Sequence, residues 1–307
     1  MITHSATLYF VAVFIWGSTF FAIRFQLGEV APELSIAYRF ALAAIMLFTW
    51  CLLRQLPLRF SFGQHLWLLL QGLTLFCGNY LLIYWATSHL TSGLIAVIFS
   101  TIVLMNIINS VIFFRTPTTP LVVVGALLGL VGISLVFWPE LANIQGDHGA
   151  FNGLLLSLAG TFIASLGNIV SARNQRQQLP VIQSNAIGMA YGALILFVAA
   201  LLQGLPLTYE FTVGYSASLL YLALFGSVLA FGSYLTLLGR IGPERAAYAM
   251  VLFPLVALGI STLFEGYRWT TVAAVGVALV VVGNLLIIVP RQYLLRAARR
   301  VGLFTDP

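Results

Sequence analysis

Lysine is absent from this 307-residue chain, so all 14 of its basic positions are arginines. Charge of either sign is scarce, with Asp, Glu, Lys and Arg together making up only 7%. A soluble domain carries about a quarter charged residues, and this composition excludes one. Histidine is nearly missing as well: His4, His65, His89 and His148 lie near predicted helix ends or in loops, and no Asp, Glu or His falls at a predicted midplane. Neither a GxxxxGK phosphate loop, nor a GxSxG elbow, nor a metal-ligand cluster is present, so ATP-driven pumping and intramembrane hydrolysis both lack the residues they need. No catalytic residue, metal or cofactor is expected. The two cysteines, Cys51 and Cys77, sit within or beside apolar runs and form neither a disulfide framework nor a metal site.

What is there is hydrocarbon. Hydrophobic residues fill 61% of the positions, and the mean hydropathy is +1.02. The apolar stretches are continuous and long enough for a helix to cross roughly 30 Å of lipid, whereas a closed barrel would show short alternating segments. The chain therefore reads as an all-α integral membrane protein. Its first apolar run has no basic n-region and no clear cleavage site, and it reads as a retained span rather than a signal peptide.

Ten transmembrane helices are expected, near 6–26, 33–53, 66–87, 92–114, 118–137, 151–171, 182–203, 215–238, 245–265 and 270–289. The connections between them are short and leave no room for a soluble domain. Drawn this way, Arg54, Arg59, Arg115, Arg173, Arg176, Arg240, Arg245, Arg291, Arg296, Arg299 and Arg300 collect on one face of the membrane. Glu29, Glu33, Glu140, Asp147, Glu210 and Glu265 collect on the other. The positive-inside rule makes the arginine face cytoplasmic, with both termini inside. Arginines facing anionic lipid account for the net charge of +6 without any nucleic-acid partner.

An internal repeat is visible as well. A shift of 151 residues lays Gly125, Gly132 and Pro139 onto Gly276, Gly283 and Pro290, and HLTSGLIAVIF onto RIGPERAAYAM. Each half then holds five spans. Five is odd, so the second half enters the membrane upside down, giving two inverted five-helix repeats. Gly125, Gly129 and Gly132 line one face of span 5 and allow close helix approach, which marks spans 5 and 10 as scaffold.

Three stretches carry a resemblance: WGSTFFAIRF in span 1, AYRFALAAIML in span 2, and YLTLLGRIGPERAAYAMVLFPLVALGISTLFEGYRW with the span that follows. They resemble the EamA-type transporters of the drug/metabolite transporter superfamily, and the likeness covers essentially the whole chain. Pro254 and Glu265 stand at that family's usual proline and acidic positions. The first half departs from the pattern, with Val103 in place of the proline and Phe114-Arg115-Thr116 in place of the acidic residue. The resemblance implies a ten-helix inner-membrane carrier that exports amino acids or related small metabolites. It divides the chain into a divergent first repeat (1–140), a second repeat (149–290) and a basic cytoplasmic tail (291–307). The expected partners are a small-molecule substrate and the bilayer, and a homo-oligomer is compatible with this reading. A non-transporting lipid-moving or sensor subunit and an intramembrane enzyme stand as competing classes.

Polar groups are costly in lipid, so those placed mid-span face a cavity or another helix. Trp16, Ser18 and Thr19 in span 1, Asn79, Tyr80 and Tyr84 in span 3, Asn109 in span 4, Asn168 in span 6, Tyr234 in span 8 and Tyr248 in span 9 are candidates to line a substrate chamber. Trp16 lies roughly 15 Å from the start of its span, deeper than an interfacial tryptophan, whereas Asn79 and Asn109 serve equally well as interhelical links. Arg39, roughly 9 Å into span 2, pairs with Glu33 or offers its guanidinium to a substrate carboxylate. Arg24 is read as an anchor at the headgroups. Pro254 is a kink or hinge in span 9, and Glu265 at the end of that span stands beside Arg268. A reporter fused at residue 145, in the loop PELANIQGDHGA, is expected to report an external location. Cytoplasmic activity of that fusion overturns the ten-span topology.

Overall fold

Backbone N–H and C=O groups that enter hydrocarbon need partners within their own segment, and helices supply them. A computed structural model describes residues 2–288 apart from 27, 87, 91–94, 96–97, 118, 137, 139–147 and 265–268, and no strand occurs among the described residues. The elements are α1 (Ile2–Ile23), α2 (Pro32–Leu53), α3 (Phe62–Ala86), α4 (Ile102–Phe114), α5 (Pro120–Val136), α6 (His148–Arg176), α7 (Val181–Leu202), α8 (Val213–Ile241), α9 (Ala249–Phe264) and α10 (Thr271–Ile288). Among the described residues six helices are long and apolar enough to cross a membrane: Ser5–Ile23, Pro32–Leu53, Phe62–Ala86, Gly149–Arg176, Val181–Leu202 and Val213–Ile241. Ile98–Phe114, Pro120–Val136 and Thr271–Gly283 are apolar but shorter. Glu265, the side chain of Arg24, most of the loop around residue 145 and the tail 291–307 lie outside the described residues.

Local sequence explains where the helices begin and end. Pro32 and Glu33 open α2, a proline whose missing N–H costs nothing there and a carboxylate on the positive helix end. Ser61 and Gln64 form a reciprocal capping box at the start of α3, with bonds of 3.3 and 2.8 Å. Thr212 caps α8 through the Tyr215 N–H at 3.2 Å. Gly242, at φ +89°, turns the chain out of α8 into the single helical turn Pro243–Ala246 that precedes α9.

The polarity of the bundle is reversed relative to a soluble protein. Large apolar side chains such as Phe14, Ile45, Ile108, Leu194 and Leu202 are exposed on its outside. Ser157, Thr161, Ser165 and Asn168, spaced at helical period along α6, are all buried. Such an inside-polar arrangement suits lipid, where apolar surface needs no cover and polar groups need partners.

Small residues set the closest helix contacts. A Cβ added at Gly132 would lie 2.5 Å from the Gly276 carbonyl oxygen, and one at Gly283 would lie 2.6 Å from that of Gly125. α5 and α10 therefore meet backbone to backbone and run antiparallel. Gly153, Gly160 and Gly167 bring α6 against Leu90, Ile83 and Leu75, along α3 and the turn beyond it. The pattern of contacts follows the 151-residue shift. α3 packs on α6 as α8 packs on α1; α1 packs on α9 as α6 packs on α4; α2 packs on α7 and α5 on α10. Two π-helical stretches, Gly72–Gly78 within α3 and Leu222–Leu229 within α8, fall at the same place in this scheme.

Gly132→Leu is expected to lower the thermal stability of the detergent-purified protein by about 1–3 kcal/mol, the cost of overpacking against backbone that cannot give way. Gly63→Ala, whose added Cβ meets nothing within 4 Å, serves as the comparison and should stay within about 0.5 kcal/mol of wild type.

Candidate functional site

The π stretch of α8 widens the helix by one residue per turn, and its side chains and carbonyls step out of the ordinary phase. Ser227 Oγ follows the wider turn and donates to the Leu222 carbonyl five residues back at 3.1 Å. The Gly226 carbonyl accepts from Trp16 Nε1 at 3.1 Å. Glycine at 226 leaves room for both neighbours, since a Cβ there would lie 2.9 Å from Thr19 Cγ2 and 3.0 Å from Arg39 Nη2. α1 and α2 thus bring side chains close to the α8 backbone at this point.

Arg39 is held at this junction. It is 3% exposed. Its Nε donates to Ser227 Oγ at 2.9 Å and its Nη2 to the Tyr80 hydroxyl at 3.5 Å. The guanidinium carbon lies 5.1 Å from the Tyr80 ring centroid and 5.4 Å from that of Phe40, close enough for cation–π attraction. Tyr84, on the next turn of α3, also engages the guanidinium, and together these acceptors use only part of its donor set. Among the described residues no carboxylate pairs with it. The Glu33 partner considered from the sequence is engaged elsewhere: its Oε1 accepts from Trp85 Nε1 at 3.1 Å. Six residues separate Glu33 from Arg39 along α2, so the two point to different faces of the helix.

Arg39 lines a cavity of about 130 Å³ in the middle of the bundle, walled by α1, α2, α3, α4, α6, α8 and α9. Trp16, Thr19, Asn79, Tyr80, Tyr84, Asn168 and Tyr234 are on its wall. Asn79, 5% exposed, follows directly on the π stretch of α3, and its Oδ1 is buried without a hydrogen-bond partner. Asn168 Nδ2 donates to the Tyr234 hydroxyl at 3.1 Å and to Asn106 Oδ1 at 3.5 Å, and Asn106 Nδ2 donates to the Pro243 carbonyl at 3.0 Å. This chain of bonds runs from the cavity wall to the turn that carries Glu244 and Arg245.

Three sequence candidates lie off the wall. Ser18 Oγ bonds back to the Ile15 carbonyl at 2.8 Å and meets the Tyr221 hydroxyl at 2.7 Å. Asn109 Nδ2 donates to Ser165 Oγ at 2.8 Å, an interhelical link. Tyr248 donates its hydroxyl proton to the Val122 carbonyl on α5. Depth alone suggested them, and the rotation of each helix turns them to other neighbours. Residues the sequence reading passed over stand on the wall instead, among them Phe99, Phe231, Met250 and Phe253. Being apolar, they gave no signal against a lipid-facing background.

Pro254 lies next to this wall, inside α9. Lacking an N–H, it leaves the Met250 carbonyl without its helical donor. Ser100 Oγ supplies one at 3.2 Å. α1 approaches the same point, since a Cβ at Gly17 would lie 3.0 Å from the Phe253 carbonyl oxygen and 2.5 Å from Val256 Cβ.

Comparison with known proteins places this architecture. A family model described as the EamA-like transporter family matches twice, over residues 4–138 and 151–289. The chain belongs to the EamA-like transporter family. It is 29% identical over 282 residues to an uncharacterized inner membrane transporter, YedA, of Escherichia coli, covering 89% of this chain and 88% of that one. It is 24% identical over 285 residues to protein PagO of Salmonella typhimurium, with 93% of each chain covered. A probable amino-acid metabolite efflux pump of Salmonella typhimurium is 25% identical over 283 residues, covering 89% of this chain and 91% of that one. One solved crystal structure superposes with a TM-score of 0.78 over 92% of this chain and 96% of its own at 18% identity, a likeness of fold. The family and the names of these relatives point to membrane transport rather than to an enzyme.

Ser100→Ala is expected to destabilise the purified protein by about 1–3 kcal/mol, because it leaves a buried carbonyl unsatisfied. In a Pro254→Ala background the helix regains its own donor, and the same substitution should cost measurably less. A double-mutant cycle read by thermal unfolding checks this, and additive losses contradict it.

Proposed function

We propose that this protein is a secondary transporter that exports small metabolites, such as amino acids or related compounds, across the inner membrane by alternating access. Ten transmembrane helices, both termini in the cytoplasm, carry the cavity in two inverted five-helix repeats (1–140 and 149–290), with 291–307 as a basic tail. The shorter apolar helices count as spans in this scheme, since 17 residues in α5 reach the lower end of what a bilayer requires.

One observation carries the reading: the cavity is walled by α1 to α4 from one half of the chain and by α6, α8 and α9 from the other. A site shared by two halves is exposed alternately when one rocks against the other. α5 and α10 take no part in the wall and pack through glycines as scaffold. The exchange of packing partners under the 151-residue shift supports the inverted arrangement. Export agrees with the efflux-pump name of one relative, and the inner membrane with the name of another. Among the described residues no Asp, Glu or His lines the cavity, and movement down the substrate's own gradient is the energetic mode proposed.

Reconstituted into liposomes, the purified protein is expected to give saturable, protein-dependent counterflow with a mixture of labelled amino acids and related metabolites, without an imposed pH gradient. Trp16→Ala should depress that flux while the folded protein persists. Flux no greater than in protein-free vesicles for every compound in the mixture overturns the transport reading. Uphill accumulation driven by a pH gradient overturns its energetic part.

A further inference from the structure

The cavity carries a positive charge that the protein does not balance. Arg39 is the single charged residue on its wall, and among the described residues no carboxylate neutralises it. Burying an unpaired guanidinium is costly, and an apolar side chain of similar volume would stabilise the bundle better. Ser227, Gly226 and the π stretch of α8 hold the group in place all the same. A residue maintained at that cost, with donors left over, fits a ligand that brings the missing negative charge.

Asn79 points to the second half of the ligand. Its Oδ1 makes no hydrogen bond among the described residues, although the side chain is 5% exposed and stands on the same wall. A buried amide oxygen is ordinarily bonded, because leaving it unpaired forfeits the hydrogen bonds it made in water. An acceptor needs a donor, and a hydroxyl or amide N–H of the ligand supplies one. Much of the remaining wall is aromatic, with Trp16, Phe99, Phe231 and Phe253. An ammonium would enter this cavity without a carboxylate to meet it.

Resting on the transport reading above, and narrowing its substrates from zwitterionic amino acids to related compounds with a single negative charge, we propose that the site selects small organic monoanions: one carboxylate bound by Arg39, an uncharged hydrogen-bond donor bound by Asn79, and an apolar or aromatic body. Net charge then separates substrates from non-substrates more strongly than the shape of the body does. A zwitterion of the same size leaves the charge of Arg39 paired only in part, because its own ammonium is buried in the same step.

Four compounds of nearly equal size separate the terms, and their binding to the full-length purified protein in detergent can be measured by titration calorimetry. Mandelate (both enantiomers) has the carboxylate and the hydroxyl, phenylacetate the carboxylate alone, mandelamide no carboxylate, and phenylglycine an ammonium in place of the hydroxyl. Mandelate is expected to bind best and phenylacetate next. Mandelamide and phenylglycine should be weaker than mandelate by about tenfold or more, the scale of one hydrogen bond to a charged group. Asn79→Leu should erase the advantage of mandelate over phenylacetate and keep that of phenylacetate over mandelamide. Arg39→Gln should erase the latter, and if that variant fails to fold, the wild-type series decides alone. Phenylglycine binding as tightly as mandelate makes the site a zwitterion site and overturns the proposal. Equal binding of mandelamide and mandelate, or no binding of any of the four, overturns it as well. Because binding is read without flux, a failure here leaves the liposome result standing, and a failure there leaves this one.

Discussion

The guanidinium of Arg39 is buried among seven helices, and a buried charge constrains everything packed around it. To bring an acceptor to Nε, α8 has to present Ser227 toward α2, and the π stretch Leu222–Leu229 makes that turn of the helix available. Glycine at 226 leaves room for Thr19 of α1 and Arg39 of α2 against α8. The carbonyl of that glycine in turn holds the indole of Trp16, which fixes one wall of the cavity. One buried charge thus orders three helices and sets the shape of the chamber they enclose.

The two halves share a frame and differ in its contents. Each has a π stretch at the corresponding place in its third helix. Under the 151-residue shift Arg39 corresponds to Ala190, Trp16 to Gly167, and Gly226-Ser227 to Leu75-Phe76. Where α8 leaves room for the arginine, α3 fills the equivalent space with the Phe76 ring, and Gly192 on α7 gives way to it, with a missing Cβ that would lie 2.9 Å from Phe76 Cβ. The unequal contents place the buried arginine in the first half alone.

Several polar contacts run from the chamber wall to the turn between α8 and α9. Asn168, Tyr234 and Asn106 link α6, α8 and α4 to the Pro243 carbonyl, and Ser110 Oγ donates to Glu244 Oε2 at 3.3 Å. All of these bonds converge on that turn. The Ser100–Met250 bond then holds α9 one turn further along, beside its proline. Four helices are therefore tied together there by hydrogen bonds, each of which would be costly to leave unmade in a buried setting.

Sequence by itself determined the helical class, the place of the apolar runs, the glycines that let α5 and α10 touch, and the depth of most polar residues, because hydropathy and spacing act locally along one helix. It singled out Trp16, Arg39 and Asn79 for the same reason: polar or large groups stand out against apolar neighbours. It could not say which way each helix is turned. Ser18 and Thr19 are adjacent at one depth, yet Thr19 faces the cavity while Ser18 meets Tyr221. Nor could it foresee the π stretch, which arises where packing against α1 and α2 offers side-chain partners that ordinary helical phase would miss. Rotation, phase and the pairing of Glu33 with Trp85 rather than Arg39 were decided by tertiary structure, since each depends on atoms far away in the chain.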